Sequence, residues 1–322
     1  TAVYFSLPGR FVASTLPSPM LTLKHLAEIY HAHPDAAAAT VREFSIGDRG
    51  FRFNSEPAIM GVVNLSPDSW YRESVCLSVE SAIRRGQTLA AQGAHIVDLG
   101  AESTLADAAR LDDTGQNSKL LPVLKGLRER DILVSIETYQ PAVTKACLEA
   151  GANVLNLTGT ASAEEMYRMA AANDAAVIIC HVQGDNVREA KDVLFGDDAI
   201  ADLRDYFSRQ IETATRAGVT KIFIDPGLGF YYRNLTDGET RVRHQIDVFL
   251  NSFRLRELGF PVCHALPHAF ETFGEEVRSA EPFFAVLAAL GRTDLFRTHE
   301  VAKIKATLDT MQIVNPAELN VT

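Results

Sequence analysis

Cysteine is scarce in this chain. Cys76, Cys147, Cys180 and Cys263 lie far apart, with no CxxC pair among them. That spacing excludes a zinc knuckle or a thioredoxin-type redox site, and it suits free thiols in a reducing compartment. No apolar run is long enough to span a bilayer. The first residues have no basic flank leading into an apolar stretch, so neither a membrane anchor nor a signal peptide is expected. Positive charge is in deficit: 31 Lys plus Arg against 41 Asp plus Glu gives a net charge of −10. General nucleic-acid binding needs a basic footprint and is excluded on that ground, although a local basic pocket for a small anion is not. A glycine-rich phosphate loop after the first strand is missing too; Val63 leads into Asn64-Leu65-Ser66-Pro67-Asp68-Ser69-Trp70, which argues against a doubly wound nucleotide-binding sheet. The expectation is a cytoplasmic protein with neither nucleic-acid nor membrane partners.

What is present is apolar material in a regular rhythm. With 322 residues and a 47% hydrophobic share, the chain can bury a large core. Short unbroken apolar runs occur at residues 58–63, 95–99, 132–136, 153–157, 176–180, 221–224, 261–265 and, most weakly, 295–298. Unbroken runs of that length read as strands buried on both faces of a parallel sheet. Between them, residues 78–92, 117–130, 140–150, 162–172, 199–217, 241–258, 280–290 and 300–311 carry apolar positions at helical spacing. Gly93, Gly151, Gly218 and Gly259 follow such segments, where a helix can end in a left-handed residue. Eight βα units predict a (β/α)8 barrel over residues 58–322. Residues 1–57 stand apart as an N-terminal extension that packs against or plugs the barrel bottom. In it, Pro17-Ser18-Pro19 reads as a loop, residues 21–33 as a helix and residues 36–39 as low complexity. Residues 41–53 read as a hairpin turning at Gly47-Asp48.

Barrel chemistry sits at the C-terminal strand ends. Here those ends carry Asn64, Asp98 with Glu102, Glu137, Asn156, His181, Asp225, and Arg297 with His299. Any one of them is more often a satisfied structural group than a ligand, but seven strands ending alike read as a pocket. Carboxylates and amides together suit a flat heterocycle with alternating donors and acceptors. Arg297 and His299, two apart on one strand, share a face and suit a phosphate; the alternative is an arginine paired with an acidic neighbour.

The segments around these residues resemble the dihydropteroate synthase family. Residues 59–70 are similar to its first strand and loop, and Gly93-Ala94-His95-Ile96-Val97-Asp98-Leu99-Gly100-Ala101-Glu102-Ser103-Thr104 to its second. Val134-Ser135-Ile136-Glu137-Thr138-Tyr139 and Gly151-Ala152-Asn153-Val154-Leu155-Asn156 resemble the third and fourth. His181-Val182-Gln183-Gly184, Ile224-Asp225-Pro226-Gly227-Leu228-Gly229-Phe230 and Arg297-Thr298-His299-Glu300 resemble the fifth, sixth and eighth. The likeness covers roughly residues 41–312, in the family's order. It implies a transferase that joins a pterin bearing a methylene diphosphate to p-aminobenzoate. Asp225, Asn156 and Glu137 would hydrogen-bond the pterin, Glu137 standing where the family has Asp. Asn64 matches a Mg²⁺ ligand beside the diphosphate. Arg297 and His299 match the anion site, Thr104 lies near the leaving group, and His181 and His268 join the substrate-binding set. The family also implies a homodimer.

Three departures set this chain apart. The family's seventh strand ends Ser-Arg-Lys; here it runs Ala265-Leu266-Pro267-His268-Ala269-Phe270, and a largely neutral histidine does not replace a fixed charge. The second loop reads Ser103-Thr104-Leu105-Ala106-Asp107 instead of Ser-Thr-Arg-Pro-Gly. The first reads Tyr71-Arg72-Glu73-Ser74 instead of Ser-Asp-Gly-Gly. The expectation is a pterin-binding transferase with reduced or altered condensation on p-aminobenzoate. The alternatives are an ordinary synthase, a non-catalytic pterin-binding paralogue, or a methyltetrahydrofolate-type methyltransferase. The anion pair on the last strand weighs against the methyltransferase.

Overall fold

The structure is a computed structural model that describes residues 20–66, 68, 74–103, 110–189, 192, 196–230, 232–235 and 237–313. The extension supplies α1 (Leu23–Ala32), α2 (Pro34–Ala38) and the antiparallel pair β1 (Phe44–Ile46) and β2 (Arg49–Phe51). Ile46 pairs with Arg49 across Gly47-Asp48, the expected turn. The alanine run read as low complexity is helical, with Pro34 at its first turn, where the missing N–H costs nothing. Pro17-Ser18-Pro19 lies outside the described residues.

Eight strands and their helices follow: β3 (Ala58–Asn64), α3 (Val79–Ala91), β4 (Ile96–Gly100), α4 (Asp113–Arg128), β5 (Val134–Thr138), α5 (Pro141–Glu149), β6 (Val154–Leu157), α6 (Ala163–Ala172), β7 (Ala176–Cys180), α7 (Ala199–Arg216), β8 (Ile222–Asp225), α8 (Gly238–Asn251), β9 (Cys263–Ala265), α9 (Phe270–Phe273), α10 (Ala280–Leu290), β10 (Leu295–Thr298) and α11 (Val301–Ile313). The strands are parallel in the order β8-β7-β6-β5-β4-β3-β10-β9. A parallel bridge from Ile224 to Val262 brings the two ends of the sheet together, so the predicted barrel is nearly closed. Helix α4 starts earlier than its periodicity suggests, because the Asp112 carboxylate accepts the Gly115 N–H at 2.7 Å and caps it. Where one long helix was expected over 241–258, the chain leaves α-geometry after Asn251. Ser252 Oγ donates back to Val248 O at 2.6 Å and sits 2.6 Å from His264 Nε2 on β9, and residues 252–258 tighten into 3-10 turns that end at Gly259 (φ 78°). Among the described residues, no helix is long and apolar enough to cross a membrane.

The barrel has two separate apolar regions. One lies between the sheet and the helices; the other fills the lower interior, where Met60, Ile96, Val154, Ile178 and Phe223 meet the hairpin's Ile46, Phe51 and Phe53. Phe44 and Phe53 both set their rings edge-on to Phe223, with centroids 5.2 and 5.3 Å away. The extension therefore plugs the N-terminal end of the barrel. Beneath it the fully buried Arg256 guanidinium pairs with Asp294 and donates to Asn54 Oδ1 at 2.9 Å, tying the extension to the scaffold. With the bottom filled, the described residues leave the barrel open at its C-terminal face.

Candidate active site

Strand register brings the polar residues to one level. Asn64 pairs with Gly100, Gly100 with Glu137 and Glu137 with Asn156, so the three side chains project to the same side of β3, β5 and β6. Asp225 ends β8 opposite Cys180, and Arg297 rises from β10 opposite Ala265. They line a cleft enclosing about 1090 Å³ of empty space, partly open to solvent, together with Glu102, Phe230, Arg241, Gln245, His268 and His299.

The floor is a charged network around Arg297. Its Nε donates to Asp98 Oδ2 at 2.7 Å and its Nη2 to Glu137 Oε2. Asn156 Nδ2 donates to the same Asp98 oxygen at 3.2 Å, and the Cys180 thiol donates to Asn156 Oδ1 at 3.4 Å, which fixes the amide's orientation. Burial disfavours the charged guanidinium, but Glu137 and Asp98 outweigh it and hold Arg297 above its ordinary value. Burial pushes Glu137 well up; Arg297 opposes, while Asp98 and Asp225 push further. Asp225 is raised to about 6, again by burial first, against the pull of the Gly227 N–H and of Arg297. One guanidinium thus faces three carboxyls at the floor of the cleft.

Local backbone holds Asp225 in place. Gly227 N–H donates to Asp225 Oδ1 at 2.8 Å. Gly227 has φ 78°, and a Cβ there would lie 2.4 Å from the His181 carbonyl oxygen, so the turn after β8 requires glycine twice over. His181 itself does not line the cleft. Its ring stands edge-on to Tyr206 with centroids 4.7 Å apart, and burial lowers its pKa to about 4, leaving a neutral imidazole. Its N–H and carbonyl tie β7 to β8 and to Tyr232. Thr104, with Leu105-Ala106-Asp107 and Arg72, lies outside the described residues.

Arg297 and His299 both line the cleft, and each already faces an acid. Arg297 has Asp98 and Glu137; His299 Nδ1 lies 3.0 Å from Glu281 Oε1. Glu281, fully buried in the first turn of α10, was not singled out from sequence, though a lone carboxylate in the otherwise apolar Ala280–Leu290 segment is a visible signal. The sequence reading also passed over Arg241, which reaches the rim from α8 and pairs with Glu271. Asn64 fits a magnesium role: its Nδ2 donates to Ser74 Oγ at 2.5 Å, and an amide oxygen is the kind of single protein ligand that Mg²⁺ accepts beside phosphate and water.

Comparison with known proteins places this geometry. The family described as pterin binding enzyme matches residues 60–265. Dihydropteroate synthase of Streptococcus pyogenes serotype M6 is 30% identical over 277 residues, 82% of this chain and 97% of that protein. The Synechocystis enzyme of the same name is 28% identical over 268 residues, 80% of this chain and 89% of its own. Among solved structures, Xanthomonas albilineans dihydropteroate synthase with 4-aminobenzoic acid superposes with a TM-score of 0.70 at 27% identity, covering 85% of this chain and 98% of that one. The same enzyme in complex with 7,8-dihydropteroate gives 0.68 at 25%, covering 84% and 98%.

Proposed function

Because the chain belongs to the pterin-binding enzyme family, we propose that it binds a pterin in the floor of the cleft and acts as a dihydropteroate-synthase-type transferase. One observation carries this reading: Glu137, Asn156 and Asp225 converge on one cleft at the C-terminal strand ends. Carboxylates accept from the ring's N–H groups, and the amide offers both a donor and an acceptor. The relatives' structures hold 4-aminobenzoic acid and 7,8-dihydropteroate, the second substrate and the product of such a reaction.

In that reaction the arylamine nitrogen bonds to the pterin's methylene carbon, the carbon–oxygen bond to diphosphate breaks, and the amine loses a proton. The floor orients the ring so that its methylene faces the cleft mouth, where the acceptor enters. Asp98 and Glu137 hold Arg297 rigid, and Arg297 with His299 marks the diphosphate side. Asn64 would hold Mg²⁺, which neutralises diphosphate charge when bound. Thr104 and His268 complete the substrate set, and His181 serves it from behind, through the backbone it fixes. A cytoplasmic location and a homodimer belong to the same proposal; the four free thiols suit a reducing compartment.

A second reading concerns rate. The segment after β9 presents Leu266, Pro267 and His268 to the cleft and no fixed cation, which favours condensation slower than that of the relatives. The test is calorimetry with a pterin and its diphosphate, followed by a condensation assay with p-aminobenzoate and Mg²⁺. Failure to bind either pterin would overturn the proposal.

A further inference from the structure

Three side chains from elements far apart in sequence converge on the β9–β10 side of the cleft. His268 follows β9, His299 follows β10, and Glu281 projects from the first turn of α10. His268 Nε2 lies 3.2 Å and His299 Nδ1 3.0 Å from one and the same atom, Glu281 Oε1. The two rings are 5.0 Å apart between centroids, and the three ligand atoms all lie within 4.8 Å of one another. We propose that His268, Glu281 and His299 form a binding site for a divalent transition-metal ion, distinct from the magnesium position at Asn64.

The separations fit a shared ion. Two ligands at about 2.1 Å from a metal, spanning a tetrahedral or right angle, are themselves about 3.0–3.4 Å apart. Both imidazole-to-carboxylate distances fall in that interval, and the two imidazole nitrogens lie within 4.8 Å of each other. Two imidazoles and one carboxylate select zinc, iron, manganese or cobalt over magnesium.

An outer shell fixes the carboxylate. Thr298 Oγ1 and the backbone N–H groups of His299 and Glu300 all donate to it. Both histidines line the cleft, so the remaining coordination positions face it. An ion there would put fixed positive charge where Leu266 and Pro267 supply none, and it would take an anionic oxygen such as that of a phosphate. Metal binding itself does not depend on the pterin reading.

The test is calorimetric titration of the untagged full chain, stripped with a chelator and freed of it, with Zn²⁺ and separately with Co²⁺. One saturable equivalent is expected, and His268→Ala and His299→Ala should each weaken it by about tenfold or more. The Co²⁺ complex should show an absorption spectrum with imidazole ligation that His268→Ala abolishes. His268 lies in the irregular segment between β9 and α9, so that variant is expected to stay folded even if Glu281→Gln does not; thermal unfolding without metal checks this. Absence of saturable binding to the wild-type chain, or equal affinity in His268→Ala, would overturn the site and leave Glu281 as a structural anchor for α11.

Discussion

Arg297 on β10 reaches past β3 to donate its Nε to Asp98 on β4 at 2.7 Å. The Asp98 carboxylate is fully buried, and the same guanidinium also holds Glu137. Removing Arg297 therefore strands two acids in the barrel. Breaking a buried pair from one side costs about 3–5 kcal/mol, and urea unfolding of Arg297→Ala should register a loss of that size. If Arg297 were a solvent-facing anion ligand alone, stability would stay near wild type and only affinity for the diphosphate-bearing pterin would fall.

Asp225 links binding to pH with two opposite signs. Its carboxyl is raised to about 6 by burial, so the folded state holds the proton more tightly than the unfolded chain does. The stability this contributes is complete below the ordinary carboxylate value and is lost as pH rises through about 6. At about 1.4 kcal/mol per unit, the stability of wild type relative to Asp225→Asn should fall by about 3 kcal/mol across that window. Pterin affinity runs the other way, because an ionised acceptor suits ring N–H donors; it should rise as pH passes about 6 and then level off. Asp225→Asn should bind pterin about tenfold to a hundredfold more weakly, without the rise near pH 6 that Asp225 contributes. Calorimetry from pH 5 to about 8 would read both, and an unchanged affinity in the variant would remove Asp225 from the pterin site.

The plug at the barrel bottom should be separable from the chemistry. Phe53 is 5% exposed and packs edge-on to Phe223. Phe53→Ala empties that volume at a cost of about 3–5 kcal/mol. Pterin affinity of the folded variant should match wild type, since Phe223 faces the lower interior and not the cleft. A large affinity loss without a stability loss would show that the extension shapes the site.

Much of this architecture was legible because its signals are local. Buried parallel strands read as unbroken apolar runs, and the polar residue ending each run marks the open face; Asn64, Glu137, Asn156 and Asp225 were found that way. Partner choice is not local. Asp98 meets Arg297 across an intervening strand, and Glu281 meets two histidines from different strand ends, because barrel closure, not spacing, brings them together. The same limit hid the break after Asn251, which depends on Ser252 meeting His264 of a later strand. His181 had the right position along its strand but turns behind the cleft, where Tyr206 offers an aromatic contact.

The last expectation concerns turnover. Diphosphate departure needs positive charge fixed where the leaving oxygen develops its own. Here Arg297 is already divided between Asp98 and Glu137, and Arg241 is held by Glu271. The wall after β9 offers Leu266, Pro267 and His268, none of them a permanent cation. Each missing electrostatic contact of this kind costs on the order of a hundredfold in turnover, although neighbouring charges couple and the losses do not simply multiply. Assayed beside the Streptococcus pyogenes enzyme with p-aminobenzoate and Mg²⁺, the purified chain should turn over about a hundredfold more slowly or worse. It should also fail to restore growth to a strain lacking its own synthase. Addition of Zn²⁺ separates two causes: recovery of rate in wild type but not in His268→Ala would assign the missing charge to the His268–Glu281–His299 site. Full turnover without added transition metal, together with complementation, would instead make this an ordinary synthase that needs no cation after β9.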